Sequence, residues 1–137
     1  MNARKIFVNL PIRDMQRSRG FFESLGFTFN PQFSNEQGAC MVISDDGFVM
    51  LLVEPFFQTF TTKKIADTRE HVEVLTCLSC DSRADVDDLV RKAVAGGGRV
   101  TRPPQDLGFM YSQAFEDLDG HVWELVWMDM AAAPPAP

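Results

Sequence analysis

The sequence is poor in the features that nucleic-acid binding and membrane insertion require. It has 13 Lys and Arg residues against 19 Asp and Glu residues, a formal net charge of −6, and no basic cluster. A chain without a basic patch lacks the attraction for phosphate on which nucleic-acid binding depends. The longest apolar run, Phe48–Val53, is far shorter than the roughly 20 residues of a membrane-spanning helix. We therefore expect neither a nucleic-acid partner nor a membrane partner.

Cysteine and histidine are also scarce, with three and two residues respectively. The N-terminal segment has no long apolar stretch of the kind found in secretion signals, so we expect a cytoplasmic protein with reduced thiols. Cys77 and Cys80 are spaced as a CxxC motif, but residues three apart on a strand point to opposite faces. All three cysteines are therefore predicted to be buried structural thiols. His71 ends a linker and His121 follows a turn, which predicts that both lie at the surface.

The first half of the chain has the pattern of a strand, a helix and three strands. Asp14 occupies the position of a helix N-cap, and Gly26 the position of a C-terminal stop. The predicted elements are a strand over Ile6–Leu10, a helix over Met15–Leu25, and strands over Phe27–Phe29, Ala39–Ile43 and Phe48–Val53.

The second half repeats this order. The predicted elements are a strand over Val72–Cys80, a helix over Ala84–Ala95, and strands over Arg99–Thr101, Tyr111–Phe115 and His121–Met128. Trp123 and Trp127 share one face of the last strand and are expected in the core under a helix. The repeat predicts an α+β fold of two tandem βαβββ units that form a concave mixed sheet, with helices outside and a cavity inside.

The predicted domain spans residues 1–130. It consists of a first unit over 5–54, a linker or flap over 55–71 and a second unit over 72–128. Phe56, Phe57 and Phe60 are too many phenylalanines for a purely solvated loop, so the flap is expected to pack against the body or a partner chain. The tail over 131–137 is expected to be disordered, because its prolines block helix and sheet hydrogen bonds.

Motifs at both ends of the chain carry a resemblance to a known family. Asn9–Met15, Phe21–Phe27 and especially the ending Phe115–Leu125 resemble the vicinal-oxygen-chelate, or glyoxalase/bleomycin-resistance/dioxygenase, superfamily. Within it, the chain is most similar to uncharacterised proteins described as predicted lactoylglutathione lyases. The resemblance extends over residues 5–128 and implies the paired βαβββ fold and a homodimer.

The resemblance also implies metal ligands at four inward strand positions. In this sequence they fall on Phe7, Leu51, Leu75 and Glu124, and of these only Glu124 has a ligand-type side chain. A catalytic divalent metal typically needs about three protein ligands. We therefore expect no metal and no other cofactor. Glyoxalase I-type isomerisation, which uses a metal to hold the enediolate oxygens, is not expected either.

Three polar residues are candidates for the site. Glu124 shares a strand face with two valines, where a carboxylate is costly unless it is bonded or functional. It is either a proton-transfer group next to a substrate carbonyl or a structural carboxylate. Asn9 shares a face with Phe7 and either orients a ligand or is a bonded strand residue. Tyr111 either lines the mouth of the cavity or packs at a dimer seam.

Two functions are consistent with these residues. The first is binding or sequestration of a small apolar or aromatic ligand in a metal-free pocket. The alternative is an enzyme acting on a small carbonyl compound, of lyase, isomerase or dioxygenase type, with Glu124 as the proton-transfer group or metal ligand. The residues expected to bind the ligand are Phe7, Asn9, Leu51, Leu75 and Tyr111.

Overall fold

The computed structural model describes residues 3–135 of the 137-residue chain. The chain divides after Asp67 into two compact units. Each unit contains one βαβββ motif and its own mixed sheet, so the predicted α+β class is confirmed. Within 3–135, no helix has the length and apolar character needed to cross a membrane.

The N-terminal unit forms a four-stranded sheet in the order β1-β4-β3-β2. β1 and β4 run parallel, and the other neighbouring strands run antiparallel. Two 3-10 turns, Pro31–Phe33 and Gln58–Phe60, accompany the regular elements. These elements are β1 (Ile6–Ile12), α1 (Met15–Ser24), β2 (Thr28–Asn30), β3 (Gly38–Val42), β4 (Gly47–Val53) and α2 (Glu54–Phe57).

α1 begins where the sequence predicts. The Asp14 carboxylate accepts the backbone N–H of Arg17 at 3.0 Å, as an N-cap should. The helix ends at Ser24, one residue before the predicted end, and Gly26 follows with a φ of 100° that favours glycine. Phe21 and Phe22 are buried on its inner side.

α1 covers one face of the N-terminal sheet. Its Arg19 lies over the Phe29 ring, 4.8 Å from the centroid. Phe29 shares this face with the buried residues Met41 and Val49 through the strand register. We call the opposite side of each sheet its open face. Residues on the open face of the N-terminal sheet include Phe7, Asn9, Met50 and Leu52.

The C-terminal unit repeats this strand order as β5-β9-β8-β6, with β7 also paired to β8. β5 and β9 run parallel, and the remaining pairs run antiparallel. The elements are β5 (Leu75–Ser79), α3 (Arg83–Ala95), β6 (Arg99–Val100), β7 (Gln105–Asp106), β8 (Met110–Glu116) and β9 (Val122–Met128).

α3 covers the face of the C-terminal sheet that carries Trp123 and Leu125, both buried. Asp87 of α3 hydrogen-bonds Gln113 from the same face. The buried position of Trp123 confirms its predicted place in the core, whereas Trp127, near the end of the strand, is only half-buried.

Several predicted boundaries differ from the structure. β5 begins at Leu75 and not at Val72, because its partner β9 begins at Val122, opposite Leu75. The flap begins with a short helix, α2, which has a proline in its first turn, where a missing N–H costs nothing. The strand predicted over Arg99–Thr101 is shorter, and β7 follows it. Of the predicted disordered tail, 131–135 form a turn and an irregular segment, and 136–137 lie outside the described residues.

Two burial predictions are wrong. His121 is buried, because the turn that precedes it folds inward and its backbone N–H bonds to the Asp117 carboxylate at 3.0 Å. Cys40 is buried as predicted, but Cys77 is exposed and Cys80 is half-buried. Cys77 is exposed because it lies on the open face, which no helix of its unit covers.

Candidate functional site

A cavity of about 270 Å³ lies on the open face of the N-terminal sheet. Its walls come from β1, β4 and the helical turns that follow β4. Three of its lining side chains are apolar and two are polar. The lining residues are Asn9, Leu52, Phe57, Phe60 and Thr61.

The segment after β4 is held against the sheet by packing and by hydrogen bonds. A Cβ atom at Gly38 would lie 3.0 Å from Leu52 and 3.6 Å from the Phe56 ring, so glycine gives both side chains the space they occupy. The Gln58 side-chain amide donates to the carbonyls of Thr61 and Lys63, at 3.0 and 2.8 Å. These bonds fix the turn that carries the cavity wall.

The two polar groups of the cavity have hydrogen-bonding capacity to spare. The Thr61 hydroxyl oxygen accepts the Lys63 backbone N–H at 3.1 Å, which leaves the hydroxyl proton free to be donated. The Asn9 side-chain amide makes no hydrogen bond to any other described residue. Both groups can therefore orient a ligand that carries one or two polar atoms.

Three polar side chains form a separate cluster on the open face of the C-terminal sheet. We call Arg102, Ser112 and Glu124 the Arg102 cluster. The Arg102 guanidinium donates from Nη2 to the Ser112 hydroxyl at 2.9 Å and to Glu124 Oε2 at 3.4 Å. Cys77 pairs with Glu124 across the strands. Burial raises the pKa of the Cys77 thiol and the Glu124 charge raises it further, while Arg102 acts in the opposite direction.

The structure brings only part of the predicted site together. Of the five residues predicted to bind the ligand, Asn9 lines the cavity. Leu51 is fully buried on the helix-covered face, and its neighbour Leu52 lines the cavity instead, because adjacent strand residues point to opposite faces. Phe7 lies on the open face, stacked on Phe48 with the ring centroids 4.9 Å apart, and Leu75 is exposed at the start of β5.

Tyr111 lies on the helix-covered face of its sheet. Its hydroxyl donates to Asp87 Oδ1 at 2.5 Å, and Gln113 donates to the same carboxylate at 2.6 Å. The bond to Asp87 and partial burial raise the pKa of Tyr111. These contacts tie β8 to α3.

The residues at the family's ligand positions do not fit a divalent metal. Three of these four positions hold Phe7, Leu51 and Leu75, whose hydrocarbon side chains offer no donor atom, and only Glu124 has a ligand-type side chain. Glu124 faces the positive guanidinium of Arg102. Throughout residues 3–135, no group of three His, Cys, Asp or Glu side chains is placed to hold a metal ion.

Of the residues that line the cavity or form the Arg102 cluster, only Asn9 and Glu124 are among the predicted site residues. Phe57 and Phe60 belong to the flap, whose aromatic content was the available signal. No sequence signal points to Arg102 or Ser112, because Arg102 lies 22 positions from Glu124 in the sequence and reaches it only in the folded chain.

Comparisons with known proteins agree with the fold. The family model "Glyoxalase/Bleomycin resistance protein/Dioxygenase superfamily" matches residues 6–125. No curated protein matches. Among solved structures, hypothetical protein SA1046 from S. aureus is 26% identical with a TM-score of 0.78, covering 93% of this chain and 95% of that one.

Two further structures show the same fold at lower identity. A glyoxalase/bleomycin resistance protein/dioxygenase family enzyme from Burkholderia phytofirmans PsJN is 17% identical, with a TM-score of 0.76 and coverage of 92% and 99%. The fosfomycin resistance protein FosX from Mesorhizobium loti is 20% identical, with a TM-score of 0.69 and coverage of 96% and 97%. Together with the repeated βαβββ topology, the family match shows that this chain belongs to the glyoxalase/bleomycin resistance protein/dioxygenase superfamily.

Proposed function

We propose that this chain binds and sequesters a small apolar or aromatic molecule without the help of a metal ion. The observation that carries the proposal is the cavity of about 270 Å³ on the N-terminal sheet, with its three apolar and two polar lining residues. Apolar walls with a few polar groups are typical of small-molecule sites. One solved structure of the same fold is named a fosfomycin resistance protein, and fosfomycin is a small molecule. That name supports a small-molecule ligand for the present chain.

The size of the cavity limits the ligand to a small ring system. An apolar cavity of about 150 Å³ is enough to bind benzene. The cavity here is larger and partly open, since Phe60 at its edge is exposed. Leu52, Phe57 and Phe60 would contact the ring, while Asn9 and Thr61 would bond to a hydroxyl or carbonyl substituent.

The alternative function, an enzyme with Glu124 as its proton-transfer group or metal ligand, has less support. Arg102 already donates to the Glu124 carboxylate, and the neighbouring strand position holds Cys77. No described group near Glu124 completes a metal site. Metal-independent ligand binding therefore agrees better with the side chains around Glu124 than the enzyme function does.

An NMR titration of the full chain with 1-naphthol, in which the backbone amide resonances of the protein are followed, tests the proposal. We expect the resonances of Asn9, Phe57 and Thr61 to shift. Phe60→Ala should weaken binding about fivefold, because it removes an aromatic contact worth on the order of 1 kcal/mol. Phe33→Ala is the matched control, since Phe33 is 60% exposed and Phe60 is 69% exposed in the same unit.

The proposal fails if 1-naphthol causes no shifts at millimolar concentration. It also fails if the shifts fall outside the cavity, or if Phe33→Ala weakens binding as much as Phe60→Ala does.

A further inference from the structure

The open face of the C-terminal sheet carries a polar group that the proposed function does not use. We propose that the Arg102 cluster is a second binding site, which recognises a neutral group with a hydrogen-bond donor and an acceptor side by side. A carboxamide or a lactam is such a group. The inference stands on the C-terminal unit alone and is independent of the cavity around Asn9.

The charge balance of the cluster selects a neutral ligand. Arg102 and Glu124 carry opposite charges 3.4 Å apart, so their sum is zero. An anion drawn to Arg102 would be repelled by Glu124, and a cation drawn to Glu124 would be repelled by Arg102. A neutral dipolar group meets neither repulsion and can bond to both side chains.

Both charged side chains have unused hydrogen-bonding capacity. Arg102 uses Nη2 for Ser112 and Glu124 and Nη1 for the Pro103 carbonyl at 3.3 Å, which leaves further guanidinium N–H groups available. Glu124 Oε1 has no hydrogen-bond partner among residues 3–135. A ligand carbonyl can therefore accept from Arg102 while the adjacent N–H donates to Glu124.

The cluster is both accessible and held in place. The side chains of Arg102 and Glu124 are 32% and 28% exposed. Ser112, which accepts from Arg102, is buried and fixes the guanidinium. Val122 and Val126 flank Glu124 on the same face, so apolar surface lies next to the polar pair. This surface favours an amide attached to an apolar ring.

Benzamide, benzoate and benzamidine provide a direct test. They share one ring and nearly one shape, but at neutral pH they carry charges of zero, minus one and plus one. We expect the full wild-type chain to bind benzamide most tightly in an NMR titration. The backbone amides of Cys77, Ser112 and Glu124 should shift, while those around Asn9 should not.

Two charge-removing variants should change this preference in opposite directions. Glu124→Gln leaves Arg102 unbalanced and should raise the affinity ratio of benzoate to benzamide on the order of tenfold, because charge-assisted hydrogen bonds to a guanidinium are strong. Arg102→Gln should favour benzamidine over benzamide by a similar factor. Glu116→Gln, which alters the neighbouring Arg99–Glu116 pair, is the matched control and should keep the wild-type order.

The inference is overturned if the wild-type chain binds benzoate or benzamidine as well as it binds benzamide, or if benzamide shifts only residues around Asn9. It is also overturned if both variants stay folded by circular dichroism and keep the wild-type preference. The relative affinities of the wild-type chain for the three compounds test the inference even if a variant unfolds. Loss of 1-naphthol binding would sink the proposed function but leave this result unchanged.

Discussion

Asp117 shows at the scale of one residue how a buried carboxylate organises the turn before β9. Its Oδ1 accepts the backbone N–H groups of Asp119 and His121 at 2.9 and 3.0 Å, and its Oδ2 accepts Trp123 Nε1 at 3.0 Å. Burial raises the pKa of Asp117, and the nearby His121 opposes that rise. The three hydrogen bonds offset the cost of burying the carboxylate and fix the adjacent Trp123 ring in the core.

Asp117→Asn should lower the free energy of unfolding by about 1–3 kcal/mol. The new side-chain NH2 group would replace Oδ2, the oxygen that accepts the Trp123 Nε1–H, and would leave that donor without an acceptor. Urea unfolding followed by tryptophan fluorescence measures the loss. Asp129→Asn is the control, since the exposed Asp129 accepts a single N–H from Ala131 and should lose less than about 0.5 kcal/mol. Equal losses in the two variants would show that the buried contacts of Asp117 do not stabilise the turn.

Among the secondary-structure elements, the segment before β8 is held to the start of α3 by the side chain of Arg83. Arg83 makes two bonds to the Asp106 carboxylate, at 2.7 and 3.0 Å, and donates to the Gly108 carbonyl at 2.9 Å. Its guanidinium also lies over the rings of Tyr111 and Trp127, 5.2 and 5.1 Å from their centroids. One side chain thus connects α3 with the loop at Gly108 and with three strands, β7, β8 and β9.

This arrangement predicts a pH dependence of the loop. The hydrogen bonds from Arg83 lower the pKa of Asp106 to about 2. A depressed pKa means that the ionised carboxylate stabilises the folded loop above its usual pKa of about 4, and that this contribution is lost as the pH falls from about 4 to about 2. Arg83→Gln should return the pKa of Asp106 toward its usual value and speed amide hydrogen exchange in the loop.

An NMR titration of the side-chain carboxyl carbons measures this change. Arg91→Gln is the control on the same helix, because its partner Asp88 lies one turn away and does not contact the loop. An unchanged Asp106 pKa in Arg83→Gln would contradict the role assigned to Arg83.

At the scale of the whole molecule, both units leave large apolar side chains exposed on their sheets. Phe7 is exposed on the open face of β1, Leu75 is exposed on the open face of β5, and Val72 is exposed just before β5. Exposed apolar patches commonly mark association surfaces. We propose that two copies of the chain associate through these residues, as the family resemblance implies.

Light scattering at micromolar concentration should therefore give the mass of a dimer. Leu75→Lys should lower that mass toward the monomer, because it places a charge in the proposed interface. Val94→Lys is the matched control, since Val94 is 48% exposed on α3 and Leu75 is 55% exposed on its strand. A monomeric wild-type chain, or equal effects of the two substitutions, would contradict the proposed dimer.

Local sequence patterns are sufficient to predict the helices, the strands and their repetition. The N-cap at Asp14 and the stop at Gly26 are local signals, so α1 could be predicted to within one residue. The repeated order of strand, helix and three strands predicted the paired units, and the alternation of β9 predicted a buried Trp123 on the face opposite Glu124. Such features depend on neighbours a few positions apart, which a linear pattern contains.

Which side chains come into contact depends on the three-dimensional fold. A shift of one residue exchanges the two faces of a strand, so Leu52 lines the cavity, whereas the predicted residue Leu51 is buried on the other face. Arg102 reaches Glu124, and Phe60 reaches the cavity that Asn9 also lines, through strand pairing and chain reversal. These contacts depend on register and on the path of irregular segments, and neither has a local pattern in the sequence.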